Sequence, residues 1–161
     1  INLIDETTAS NIGRIQVLEN DKPNKIYFSA YNNEGGDVTG QLKFPKVVTN
    51  LGSGFDASNG VFTAPIKGVY TFSFSGQQSS TAEGGETAID LYVTKHGANV
   101  FGIFEDRNSA GKKQYWQNIN SIFSLELNLN DRVKLVLDSR DKLYASGNFR
   151  LIFMGQLVVA T

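Results

Sequence analysis

An all-β sandwich or barrel is the fold class this sequence predicts, and three observations predict it. Apolar residues recur with a period of two almost everywhere after residue 25. Clusters of Gly, Asn, Asp and Ser interrupt those runs at short intervals. No helical stretch follows residue 25.

The strands can be taken in order. Ile26, Phe28 and Ala30 alternate with Tyr27, Ser29 and Tyr31; Tyr70, Phe72 and Phe74 alternate with Thr71, Ser73 and Ser75. Ile89, Leu91 and Val93 alternate with Ala88, Asp90 and Tyr92. Phe123, Leu125, Leu127 and Leu129 alternate with Ser124, Glu126 and Asn128, and Val133, Leu135 and Leu137 follow. Successive strand side chains point to opposite faces, so each segment offers one apolar and one wetter face, the pattern of a half-buried antiparallel sheet. Segments 32–36, 52–60, 83–85, 108–111 and 128–131 are rich in residues that accept positive φ or form side-chain turns, and they punctuate the strands.

Two segments break the pattern. Residues 149–159 are apolar on both faces, so something must cover the second one; a subunit interface is the simplest cover, a capping loop the alternative. In residues 1–18, Ile1, Thr8 and Ile15 fall at heptad position a and Ile4, Asn11 and Leu18 at d, a pattern that suits a three-stranded coiled coil. Gly13 argues against it, and a loose leader with a short strand from Ile15 to Leu18 is the other reading. The chain therefore divides into a leader or short neck at 1–25 and one head domain at 26–161.

Composition excludes several function classes. With 40% hydrophobic and 19% charged residues the chain belongs with globular proteins, and no run of 18 apolar residues is present for membrane insertion. Fifteen Lys and Arg offset sixteen Asp and Glu, without the clustered basic face that nucleic acid requires. The absence of cysteine excludes thiolate metal sites and thiol catalysis but leaves the compartment open, as does the absence of an Asn-x-Ser/Thr sequon. Starting at Ile1 without an initiator Met, the chain is expected to be a mature form or an excised fragment.

The stretch Gly60-Val61-Phe62-Thr63-Ala64-Pro65-Ile66-Lys67-Gly68-Val69-Tyr70-Thr71-Phe72 resembles the G-x-F-x-A-P-x-x-G-x-Y-x-F signature of the C1q globular-head family. Phe28-Ser29-Ala30 resembles that family's first core strand, and Phe44, Val47, Asn50 and Phe55 precede the signature in the family's order. Leu125-x-Leu127 with Asn130-Asp131-x-Val133 resembles its L-x-L-x-x-G-D-x-V turn, Asn130 standing for the usual Gly. Phe153-x-Gly155-x-Leu157 resembles its closing segment, with Gln156 where an aromatic is common. The resemblance covers roughly residues 26–158. It implies a ten-stranded antiparallel jelly roll of the C1q/tumour-necrosis-factor superfamily, secreted and extracellular, assembled as a homotrimer around an apolar axis. We assign Phe28, Phe149, Leu151, Phe153 and Leu157 to that interface. The cysteine-free layout without a collagen repeat is similar to the invertebrate type of such proteins.

No catalytic constellation appears. The one histidine, His96, reads as part of a hairpin turn, and Glu105, Asp106, Asp138 and Asp141 read as turn-formers rather than an acid/base pair. The chain is expected not to be an enzyme. The resemblance also implies a calcium position at Glu86, but Thr94 or Lys95 falls where a second acid belongs. Binding is expected on two loops that mix charge with aromatics: Asp106, Arg107, Tyr115 and Trp116 on one, Asp138, Arg140, Asp141 and Tyr144 on the other. Packing in the sandwich or trimer contact is the competing role for those aromatics. The resemblance thus implies a lectin-like recognition protein for carbohydrate or another surface ligand, as in innate immunity. A trimeric ligand for a cell-surface receptor and a matrix protein whose head drives assembly are the alternatives.

Overall fold

The structure, a computed structural model, describes residues 6–20, 25–78, 88–106, 118–139, 141–147 and 151–161. Helix α1 spans Glu6–Asn20. It replaces the short strand expected at residues 15–18, and its residues 7–14 are exposed. A four-residue strand needs a neighbouring edge to pair with. The helix satisfies its backbone within itself and is built largely from residues that tolerate it, Ala9, Arg14, Gln16 and Leu18 among them.

Thirteen strands follow among the described residues: β1 (Tyr27–Asn32), β2 (Asp37–Val38), β3 (Gly40–Gln41), β4 (Lys46–Leu51), β5 (Phe55–Asp56), β6 (Val61–Thr63), β7 (Gly68–Gln77), β8 (Ala88–Lys95), β9 (Ala98–Asp106), β10 (Asn118–Leu127), β11 (Arg132–Leu137), β12 (Leu143–Tyr144) and β13 (Leu151–Ala160). One sheet runs β10-β7-β13-β1-β4; the second runs β5-β6-β11-β8-β9, with β3 also beside β11. β12 and β2 form a small ribbon. Five strands along each main path make the ten-stranded jelly roll, and β2, β3 and β12 are short additions to it.

Alternation becomes core as expected. Phe28, Tyr70, Phe72, Phe74, Leu91, Val93, Val133, Leu135 and Leu137 are all buried between the sheets. Phe28 is the hub: it stacks on Phe55 at 4.4 Å and Phe62 at 5.3 Å from the opposite wall and meets Phe153 edge-on at 5.0 Å. The buried Tyr70 hydroxyl donates to Ile66 O at 2.8 Å, which satisfies its polar atom. Gly155 lies so close to the Phe28 and Phe72 rings that any Cβ would collide with both. At one open side Phe101 of β9 meets Phe123 of β10 at 5.8 Å and closes the sandwich.

Several residues sit differently from expectation. Phe28, Leu151 and Phe153, assigned to the subunit interface, have no exposed surface in the single chain and sit in the sandwich core. The register Phe28↔Gly155 and Ala30↔Phe153 turns that parity of β13 toward the other sheet. Leu157 also packs against the core, partly buried, and Phe149 lies outside the described residues. Leu129, counted with the alternation, is 59% exposed because the strand ends at Leu127 and it sits in the following turn.

Candidate functional site

The first expected binding loop lies mostly outside the described residues: Arg107, Tyr115 and Trp116 do, and of Asp106 only the backbone, at the end of β9, is described. Glu86 and Arg140 are outside as well.

The second loop is described at Asp138, Asp141 and Tyr144, and its acids are tied into the scaffold. The Asp90 N–H donates to Asp141 Oδ2 at 2.8 Å, and the Asp138 N–H donates to Asp90 O at 2.9 Å. Thr39 Oγ1 donates to Asp138 O at 3.1 Å. These bonds pin the loop to β8 and to the link between β2 and β3. Tyr144, half-buried, pairs with Asp37 across the β12–β2 ribbon. The arrangement brings Asp138 and Asp141 together as turn-formers and holds Tyr144 at the loop's edge.

The expected calcium position, Glu86, lies outside the described residues. Among the described residues no three His, Asp or Glu side chains gather as a metal cluster. Where a second acid belongs, the Lys95 ammonium instead pairs with Asp131 Oδ2 at 2.7 Å. Asp131 is nearly buried at that end of the sandwich, its side chain only 8% exposed. It also pairs with His96 Nε2 and accepts the Asn128 N–H at 2.9 Å. Burial pushes this carboxyl up, but Lys95, Asn128 and His96 outweigh burial and hold it down at about 2. His96 is thus a hairpin residue as expected, at φ 52° beside Gly97 at 85°, a pair of signs that suits a two-residue β-turn. Sequence reading missed its partner, which lies 35 residues away.

The second apolar face expected of residues 149–159 lies on the outward side of the five-stranded sheet, where Ile122 of β10 extends it. Register places Ile122, Ser73, Met154 and Ser29 in one row across β10, β7, β13 and β1. The next row holds Asn120, Ser75, Ile152 and Tyr31. The small serines let Ile122, Ile152 and Met154 frame a shallow recess of about 530 Å³. Ile122 is 76% exposed, a heavy apolar load for a water-facing strand. The Tyr27 hydroxyl donates to Met154 Sδ at 3.9 Å and holds that side chain along the face. The β9 edge adds Val100, Phe101 and Phe104, the last 61% exposed.

Residues 27–158 match the profile of the C1q domain. Human and mouse complement C1q tumor necrosis factor-related protein 3 are each 36% identical over 61 residues, 38% of this chain and 23% of each relative. The globular domain of zebrafish complement 1qA protein superposes with a TM-score of 0.65 at 20% identity, covering 85% of this chain and 99% of that one. The Eiger TNF structure from S. frugiperda superposes with a TM-score of 0.63 at 12% identity, covering 85% and 95%. With the signature at 60–72 on β6 and β7, the two five-stranded walls and a profile match across most of its length, the chain belongs to the C1q domain family.

Proposed function

We propose that the chain is a secreted, trimeric recognition head that binds carbohydrate or another surface ligand through its loops and carries out no chemistry. One observation carries this reading: the outward face around Ile122, Ile152 and Met154 is apolar where the rest of the strand pattern calls for polar residues. A second copy of the chain is the occupant. Among the described residues, this face and the β9 edge with Phe101 and Phe104 are unlike apolar surfaces. An edge that packs on a neighbour's face makes a head-to-tail contact, and such contacts close into rings when the rotation allows. Three heads then present three copies of each loop in one direction, with α1 as a neck.

Sedimentation of the full chain should give three times its 17.6 kDa mass. Met154→Lys should give a folded monomer, since the side chain points away from the core. A stable monomer of the unaltered chain at micromolar concentration overturns the reading. A glycan array with and without calcium tests the ligand: binding lost in Trp116→Ala or Tyr144→Ala, with the trimer intact, supports it. Identity to the C1q tumor necrosis factor-related proteins favours a second reading, a trimeric ligand for a cell-surface receptor. Saturable binding to a receptor protein with no glycan hit selects that one.

A further inference from the structure

We propose that a recess on the outward face of the second sheet binds one oxyanion group, the carboxylate or sulfate of an acidic saccharide. The saccharide part rests on the recognition reading above; the oxyanion part rests on the recess alone. Arg132 and Lys134 stand two apart on β11 and so share a face. On one side β8 places Thr94 directly opposite Lys134. On the other side β6 reaches only Arg132 and Val133, and β3 only Val136 and Leu137. Among the described residues no strand pairs with that flank at Lys134, and a recess of about 360 Å³ opens there, lined by Gln41, Asn59, Thr94, His96, Arg132 and Lys134 among others. That is large enough for a ligand site.

The recess is equipped for negative charge. Gln41 Nε2 donates to Asn59 O at 2.7 Å, and Gln41 Oε1 accepts from Lys134 Nζ at 2.9 Å. Gln41 is thereby locked, and it aims the ammonium, which keeps further protons to donate. The Arg132 guanidinium has no ion pair among the described residues; the carboxylate it influences, Asp56, is already held by Ser58 and Asn59. Asp131 nearby is engaged by Lys95 and His96, and none of the described lining residues is acidic. Thr94 supplies an independent sign. It is 4% exposed, and its hydroxyl has no hydrogen-bond partner. A buried donor left unmade is unfavourable, and an oxyanion in the recess would accept from it. A planar guanidinium, an ammonium and a hydroxyl around one recess form a donor set for a carboxylate or sulfate. Two isolated cations are too few to track a nucleic-acid backbone.

Calorimetry on the full chain with four probes tests this: a uronate oligosaccharide, a sulfated oligosaccharide, a neutral oligosaccharide of equal length and inorganic sulfate. The acidic saccharides should bind more tightly than the neutral one. Arg132→Gln and Thr94→Val should each weaken them about tenfold, the loss of one charge-assisted or buried hydrogen bond. Thr94→Val should not lower the melting temperature, so its effect cannot be ascribed to unfolding. Equal affinity of an acidic probe for the unaltered chain and both variants overturns the site, even if Trp116→Ala shows that saccharide recognition itself stands. Arg132-dependent binding of inorganic sulfate without any saccharide binding supports the oxyanion site and overturns the saccharide reading.

Discussion

Asp131 shows how one side chain joins distant parts of the chain. Its carboxylate takes Lys95 and His96 from the β8–β9 hairpin and Asn128 from the turn before β11. Its backbone carbonyl accepts the Ala64 N–H at 2.9 Å, while Ala64 O accepts the Asn130 N–H. Because the folded carboxyl titrates at about 2, below its ordinary 3.8, it favours the folded state wherever it is ionised. That contribution is full above about pH 4 and is lost as pH falls from 3.8 toward 2. Urea midpoints measured across this window should fall with acid in the unaltered chain and flatten in Asp131→Asn. Gly155 makes a second prediction of the same size class. Its missing Cβ is what lets the Phe28 and Phe72 rings close over β13, so Gly155→Ala should cost about 1–3 kcal/mol by overpacking, read from the same urea midpoints. Both roles were partly legible in sequence. Gly155 and the Asn130-Asp131 pair belong to recognisable motifs, and Asn130 does take the left-handed φ of 67° expected where Gly is usual. The partners of Asp131 were not legible, because pairing across the fold joins it to Lys95 and His96.

Among the elements, β7 and β11 were the easiest to read, since all but one of the large apolar residues of each fall on one parity and that parity is buried. β13 was harder because both parities are apolar: Leu151 and Phe153 against Ile152 and Met154. Only its register with β1 decides which set faces inward, and the apolar surface that remains is therefore the even-numbered one. The Thr94 recess was hidden for the same reason, since it exists only where β8 and β11 lie side by side. At the other end of the chain α1 keeps Gly13 in mid-helix with open space where a Cβ would go. Gly13→Ala should therefore stabilise the helix by about 1 kcal/mol, seen as increased helical circular dichroism in the full chain.

For the whole molecule, the family and the jelly roll were legible because aromatics, turns and glycines recur at fixed spacings along most of the chain. The ligand was not, because loop residues vary without disturbing the sheets that carry them, and a shared fold does not fix what is bound. Assembly changes what weak loops can do. In the proposed trimer, three sites held in one direction would gain avidity on a repetitive surface. Met154→Lys, as a monomer, should lose on the order of a hundredfold in binding to a ligand-coated surface, yet keep the affinity of a single site for soluble ligand. Surface plasmon resonance with the ligand immobilised, and then free, separates the two.

The place of β13 has a consequence for how the protein is made. It is the middle strand of its sheet, zipped between β7 and β1, yet its pairing of Tyr27 with Gln156 spans nearly the whole length of the chain. Until residues 151–160 have left the ribosome, β10-β7 and β1-β4 are two separate ribbons with open edges. Contacts this distant in sequence are slow to form, and unpaired edges in the meantime invite misassociation. The nascent head thus reaches its native sheet only after synthesis of that last strand, in a late step that seals both ribbons at once.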